Sequence, residues 1–133
     1  MSQHNVEAAR KAWRAYGARG IEAALEYYTE DCVCEDFPDL PDRATSQGKA
    51  GVRERYWRFV ETWGDFVMKP VEFIDAGGDV VVVVSAMTGL GKGSEVPMEA
   101  PAVFVYEMRN GRIVRDRPFT SRYRALKSAG LSE

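Results

Sequence analysis

Proton chemistry in this chain falls to carboxylates and tyrosines. The one histidine, His4, stands in an N-terminal stretch expected to fray, so a histidine zinc site, a histidine-containing catalytic triad and a histidine proton switch all lack their central residue. The two cysteines, Cys32 and Cys34, read as small core residues rather than redox groups. Gly89-Leu90-Gly91-Lys92-Gly93 falls between expected strands and not before a helix, so it is no phosphate loop. Neither a metal nor any other cofactor is implied.

The carboxylate that draws attention is Asp116, the single acid among the seven bases between Arg109 and Lys127. In a strand with alternating faces, one register turns Val114, Asp116, Pro118 and Thr120 inward, the other Ile113, Arg115, Arg117 and Phe119. The first buries one acid and the second two arginines, so the first is preferred. In the other register Asp116 would pair with neighbouring arginines on the surface. The complementary stretch is Glu22 to Asp42, with eight acids (Glu22, Glu26, Glu30, Asp31, Glu35, Asp36, Asp39, Asp42) and no base. The two stretches are expected to screen each other within one fold or across a dimer. No aromatic-rich ribonucleoprotein motif accompanies the basic stretch, and nucleic acid is not an expected partner.

The elements that must position these groups divide the chain in two. Val6, Ala9, Trp13 and Tyr16 give one apolar helical stripe ending near Gly17 to Gly20. Ile21, Ala24, Leu25 and Tyr28 repeat it in a second helix. A short apolar segment, Cys32 to Phe37, leads into a polar loop, DLPDRATSQG, with no expected regular structure. A third helix begins near Gly48, with Val52, Tyr56, Phe59 and Trp63 inward while Arg53, Glu54, Arg55 and Arg58 mostly face water. Segments Phe66 to Ile74, Asp79 to Leu90, Val96 to Met108 and Arg112 to Ser121 read as strands in consecutive hairpins, Asn110-Gly111 being the strongest turn signal. Val80 to Val84 offers no polar alternation and should be buried on both faces. The tail SRYRALKSAGL allows a last turn or two of helix.

With 133 residues, 45% of them hydrophobic, and a net charge of −2, the chain fits one α+β domain spanning residues 1–133. Apolar runs such as Val80 to Val84 are far short of the roughly 20 residues that cross a bilayer. The opening MSQHNVEAAR lacks a signal peptide's apolar stretch, so a cytoplasmic protein with no membrane partner is expected.

Several stretches carry a family resemblance: Gly20-Ile21-Glu22-Ala23-Ala24, Tyr28-Thr29-Glu30-Asp31, Val33-Cys34-Glu35-Asp36, Asn110-Gly111-Arg112-Ile113-Val114-Arg115, and Arg124-Ala125-Leu126 to Gly130-Leu131. In this order they resemble the SnoaL-like polyketide cyclases of the nuclear transport factor two superfamily, to which ketosteroid isomerase also belongs. The resemblance implies a cone-shaped curved antiparallel sheet closed by three N-terminal helices, a cavity for a small apolar organic molecule, and a homodimer formed through the sheet's outer face. It implies acid/base roles for Asp36, by an ungapped count from Ile21 to the isomerase base, and for Asp116, on the last strand as in the cyclases. Where the isomerase has its oxyanion-hole tyrosine and acid, this chain has Ala12 and Val103 or Phe104. Tyr16, one turn on, is the candidate replacement, and steroid isomerisation is not expected.

The cavity would be lined by Trp13, Tyr28, Tyr56, Phe59, Trp63, Phe104, Pro118 and Thr120, although aromatics at helical spacing equally fill a core. The leading expectation is an enzyme using carboxylate acid/base chemistry for cyclisation, isomerisation, dehydration or hydration. A non-catalytic binder of an apolar metabolite and a dimerisation module with a filled pocket are the alternatives. Apolar neighbours such as Val114, Phe104 and Trp63 are expected around Asp116, and Asp116→Asn is expected to stop turnover with the fold intact.

Overall fold

The computed structural model describes residues 2–38, 40, 43–91, 93 and 96–131. Asp39 and Asp42 of the acidic stretch, and Lys92 of the glycine-rich turn, lie outside the described residues. Helix α1 (Ser2–Arg19) buries Val6, Ala9 and Trp13. It stops at Gly20, which takes a left-handed φ of 88° and returns its N–H to the Tyr16 carbonyl at 2.8 Å.

The second helix is shorter than expected. α2 (Ile21–Ala24) makes one turn, a 3-10 turn covers Leu25–Tyr27, and Tyr28 already opens strand β1 (Tyr28–Glu35). There its backbone lies opposite Ile113 of the last strand. A register shift between Tyr28 and Val33 breaks the period-two alternation, which is why only the second half of this strand shows in the sequence. The polar loop likewise contains a strand, β2 (Thr45–Gln47), pairing Val33 with Gln47 and Glu35 with Thr45. A three-residue polar edge strand has no hydrophobic period to reveal it.

Helix α3 (Gly48–Thr62) leads into four long strands, β3 (Trp63–Asp75), β4 (Val80–Gly91), β5 (Pro97–Arg109) and β6 (Arg112–Phe119). Trp63 therefore begins a strand instead of ending the helix. The last hairpin turns at Asn110 and Gly111, both at positive φ (51° and 77°), as a two-residue type I′ turn requires. The sheet runs β2-β1-β6-β5-β4-β3, curved and unclosed, and among the described residues only the β1–β6 pair is parallel. Where β3 and β4 meet, a Cβ on Gly89 would fall 2.9 Å from the Gly64 carbonyl and 3.1 Å from the Trp63 ring. Only glycine permits that approach.

Two cores result. Residues of α1, α3 and the inner sheet face, including Trp13, Val52, Val81, Val83, Phe104 and Ile113, form the larger one. On the outer face Val82, Val103 and Val105 pack against Ala125 and Leu126 of helix α4 (Arg122–Ser128). Val80 to Val84 does need cover on both faces, but here the chain itself supplies it, so this run is no argument for a partner subunit. The charge segregation is screened inside the chain too: Glu35 meets Arg115 at 2.6 Å and Asp31 meets Arg109 at 3.5 Å, while Glu22, Glu30 and Asp36 reach bases of α3. Among the described residues no helix is long and apolar enough to cross a membrane.

The packing of α4 has a measurable weight. Leu126→Ala, which empties a buried leucine site on three valines, should lower unfolding stability by about 2–4 kcal/mol. In urea titration this appears as a lower midpoint with unchanged slope. A loss under about 0.5 kcal/mol, the range of an exposed position, would mean that α4 is not seated on the sheet.

Candidate functional site

Between α1, α3 and the inner face of the sheet lies a cavity with about 50 Å³ of room for the centres of water-sized molecules. A single water needs about 10–15 Å³ on that measure, so the space exceeds one water several-fold. Counting the mouth out to solvent, the empty volume is about 580 Å³. Ala12, Trp13 and Tyr16 line it from α1, Val52, Arg55, Tyr56 and Phe59 from α3, and Phe66, Met68, Met87, Phe104, Tyr106 and Ile113 from the strands, with Tyr28 at the start of β1. Aromatic rings meet edge-on along the wall, Trp13 with Tyr16 at 5.9 Å and Tyr16 with Tyr56 at 5.6 Å between centroids.

Asp116 is fully buried and faces inward, immediately behind this wall. A register shift in β6 puts it there: Met108 is opposite Ile113 but Glu107 is opposite Arg115, so Val114 is an extra residue and both Ile113 and Asp116 turn inward. Neither simple alternation holds along the whole strand. Pro118 is buried beyond Asp116, and Thr120 lies exposed past the strand's end.

The surroundings of Asp116 differ from the apolar shell expected. Arg55 of α3, only 8% exposed, grips the carboxylate end-on, Nη2 to Oδ2 at 2.7 Å and Nη1 to Oδ1 at 3.2 Å. Arg55 Nη1 also donates to the Glu35 carbonyl at 3.0 Å, and its guanidinium carbon lies 5.5 Å from the Phe104 ring centroid. The Tyr28 hydroxyl donates to Asp116 Oδ2 at 2.6 Å. Further along the floor Trp13 Nε1 donates to the Tyr106 hydroxyl at 3.1 Å. At the wall between α1 and α3 the Tyr16 hydroxyl donates to that of Tyr56 at 3.1 Å.

These contacts set the protonation of the site. Burial pushes Tyr28 well above the ordinary phenol value, and the Asp116 charge adds to it. Tyr106 is raised by burial and then by Asp116, Tyr16 by burial and then by Tyr56. All three phenols are neutral at ordinary pH. Burial works against the charge of Arg55, but Asp116 outweighs it, and the guanidinium is held well above its usual value. Burial pushes the Cys34 thiol up to about 12, so this buried residue is an inert thiol.

Of the residues nominated from sequence, Trp13, Tyr16, Tyr28, Tyr56, Phe59 and Phe104 lie on the cavity wall, and Asp116 touches it through Tyr28 and Arg55. Trp63, Pro118 and Thr120 are not on that wall. Asp36 is brought elsewhere: its Oδ1 accepts from Arg58 at 2.9 Å and its Oδ2 from the Ala44 N–H at 3.0 Å, beside a separate groove that includes Pro118. It ties down the loop that follows β1. Arg55 was expected to face water, yet it lies three residues after Val52 and four before Phe59, within the apolar stripe. Tyr106 also went unnominated, although it stands two residues after Phe104 on the same strand face.

The SnoaL-like domain model matches residues 9–116 of the chain. Among solved structures, an NTF2-like protein from Burkholderia thailandensis E264 superposes with a TM-score of 0.76 at 18% identity, over 88% of this chain and 90% of that one. TerC, co-crystallised with polyporic acid, gives 0.73 at 22% identity over 96% and 98%. A Mycobacterium tuberculosis protein in complex with estradiol-17β-hemisuccinate gives 0.66 at 21% identity over 86% and 92%. Likeness at such identities shows the fold alone. No curated protein matches in sequence.

Two outcomes follow from the buried network. Removing one partner of the ion pair leaves an uncompensated charge, so Asp116→Asn and Arg55→Met should each lose about 3–5 kcal/mol of stability. The fold is therefore not indifferent to Asp116→Asn. In a urea double-mutant cycle the pair should lose clearly less than the sum of the singles, and strict additivity would deny the interaction. The phenols give a pH signature. Because the folded values of Tyr28 and Tyr106 lie above the unfolded value of 10.0, their contribution is complete below pH 10 and is lost as pH rises above it. The slope should approach roughly 2–3 kcal/mol per pH unit for the two. Absorbance at alkaline pH should show these tyrosines ionising only as the protein unfolds.

Proposed function

Starting from a chain that belongs to the SnoaL-like domain family, we propose that it is a small-molecule enzyme that moves a proton next to a carbonyl group on an apolar substrate. That step is common to isomerisation, aldol-type cyclisation, dehydration and hydration. The observation that carries the reading is the 2.6 Å hydrogen bond by which Tyr28, a wall residue, connects the cavity to the buried carboxylate of Asp116. Polyporic acid on TerC and estradiol-17β-hemisuccinate on the mycobacterial protein support a ring-bearing substrate in such a cavity.

Asp116 does not touch the cavity directly, so Tyr28 is the contact group in this reading. A carbon-bound proton beside the carbonyl passes to the Tyr28 oxygen as the Tyr28 proton passes to Asp116 Oδ2. The electron pair of the broken C–H bond moves onto the carbonyl oxygen as an enolate. The charge count makes this feasible in an apolar site. Before transfer the Asp116 carboxylate balances Arg55; afterwards Asp116 is neutral, and the enolate takes its place as counter-charge to the guanidinium. Reversal with delivery to another carbon completes an isomerisation. Asp36, held by Arg58, takes no part.

The test is proton exchange in D2O with a panel of apolar cyclic ketones such as 2-tetralone, followed by NMR. The wild-type protein should accelerate loss of the proton next to the carbonyl. Tyr28→Phe, which keeps the ion pair and the ring, should slow it by roughly 100-fold or more, with binding retained in a tryptophan-fluorescence titration. Exchange unchanged in Tyr28→Phe overturns the relay. Ketones that bind the wild type without any exchange leave a binding protein for apolar metabolites.

A further inference from the structure

Arg55 has a second recognition surface. A guanidinium carries five N–H donors in one plane, in two usable forks: end-on, from Nη1 and Nη2, and side-on, from Nε and the remaining hydrogen of Nη2. In this chain the end-on fork holds Asp116, and the outer hydrogen of Nη1 reaches the Glu35 carbonyl. Among the described residues the side-on fork has no hydrogen-bond partner. Its Nε is not sealed in protein either, because among the described residues only Thr29 and Arg117 hold a fully enclosed side-chain polar atom without a hydrogen bond. Arg55 is 92% buried overall and lines the cavity, so the open space left to Nε is the cavity, and the remaining hydrogen of Nη2 lies beside it in the same plane.

We propose that the side-on fork of Arg55 sets substrate specificity, selecting molecules that present two coplanar acceptor oxygens on one edge, as a 1,3-dicarbonyl compound or its enol does. The inference rests on the reading of the cavity as a substrate site. Two parallel N–H donors fixed by Asp116 and Glu35 match two syn oxygens and leave one N–H unsatisfied against a single carbonyl, an unpaired donor in a site walled by Phe104, Met87 and Ile113. A permanently anionic ligand is disfavoured, since it would set two negative charges, its own and that of Asp116, against one guanidinium. A neutral dicarbonyl avoids this until its proton has passed toward Asp116. Tyr28 commits its single proton to Asp116, so beside the carboxylate the donor offered to a ligand oxygen is the Arg55 fork.

The probes are benzoylacetone and butyrophenone, which share a phenyl ring and chain length and differ by one carbonyl. Titrated by tryptophan fluorescence, the wild-type protein should bind benzoylacetone at least tenfold more tightly. Arg55→Lys keeps a cation opposite Asp116 but loses the planar fork, and its preference should fall to near unity. Equal affinities in the wild type, or a tenfold preference kept by folded Arg55→Lys, overturn the proposal. If Arg55→Lys does not fold, the wild-type Arg55 Nε–H resonance decides. It should shift with benzoylacetone and not with butyrophenone, and an unchanged signal at saturation counts against the fork. These readouts need no turnover, so a protein that prefers benzoylacetone but exchanges no ketone proton loses the enzyme reading and keeps this one. Exchange without the preference does the reverse.

Discussion

The ion pair between Arg55 and Asp116 is the constraint on which the rest of the site depends. A guanidinium and a carboxylate removed from water each carry a desolvation cost of several kcal/mol, offset only when geometry and further hydrogen bonds are good. Both conditions are met: the contact is two-pronged, Glu35 accepts a further hydrogen bond from Arg55, Tyr28 donates one to Asp116, and Phe104 lies within cation–π distance of the guanidinium. A pair of apolar side chains would stabilise the interior equally well. What it would not do is fix the direction of hydrogen bonds along the cavity floor. Trp13 can only donate, and does so to Tyr106, while Tyr28 gives its single proton to Asp116, so each of these two contacts has a set direction.

The sheet is shaped to allow this. Ile113 and Asp116 are three residues apart and would face opposite ways in a regular strand, but the extra residue at Val114 turns both inward. Ile113 then serves the wall and Asp116 the charge behind it. At the far end of the sheet Gly89 lets β3 cross close over β4. On the convex side α4 covers the valines that the curved strands would otherwise expose. Curvature, cavity and covered outer face are therefore one arrangement rather than three.

Much of this was legible in the residues. Asn110-Gly111 marked the last hairpin, the four long strands fell near their expected places, and the cost of burying two arginines picked the inward register for Asp116. Other parts were hidden for physical reasons. Arg55 sits on the apolar stripe of its helix, but a charge is read as solvated until its partner is known, and that partner is 61 positions away. Tyr106 was masked inside an apolar run. The first half of β1 was concealed by a bulge, and β2 by its polarity. Counting placed Asp36 at a catalytic position; the structure sets it apart from the cavity, against Arg58 of α3 and the Ala44 N–H, a placement that an ungapped count has no means to show.

The parallel pairing of β1 with β6 bears on how the molecule assembles. Strands β3 to β6 follow one another through hairpins, so each pairing closes a short loop, whereas Tyr28 and Asp116 are 88 residues apart. Closing so long a loop carries an entropic penalty that local contacts do not, and pairings of this kind are favoured late in folding. The meander can thus form as a cooperative unit of its own before the first strand docks beside the last. Tyr28 arrives with that strand, and Arg55 with the helix that packs on it. On this order the sheet precedes the cavity floor, and the buried ion pair between Arg55 and Asp116 closes last.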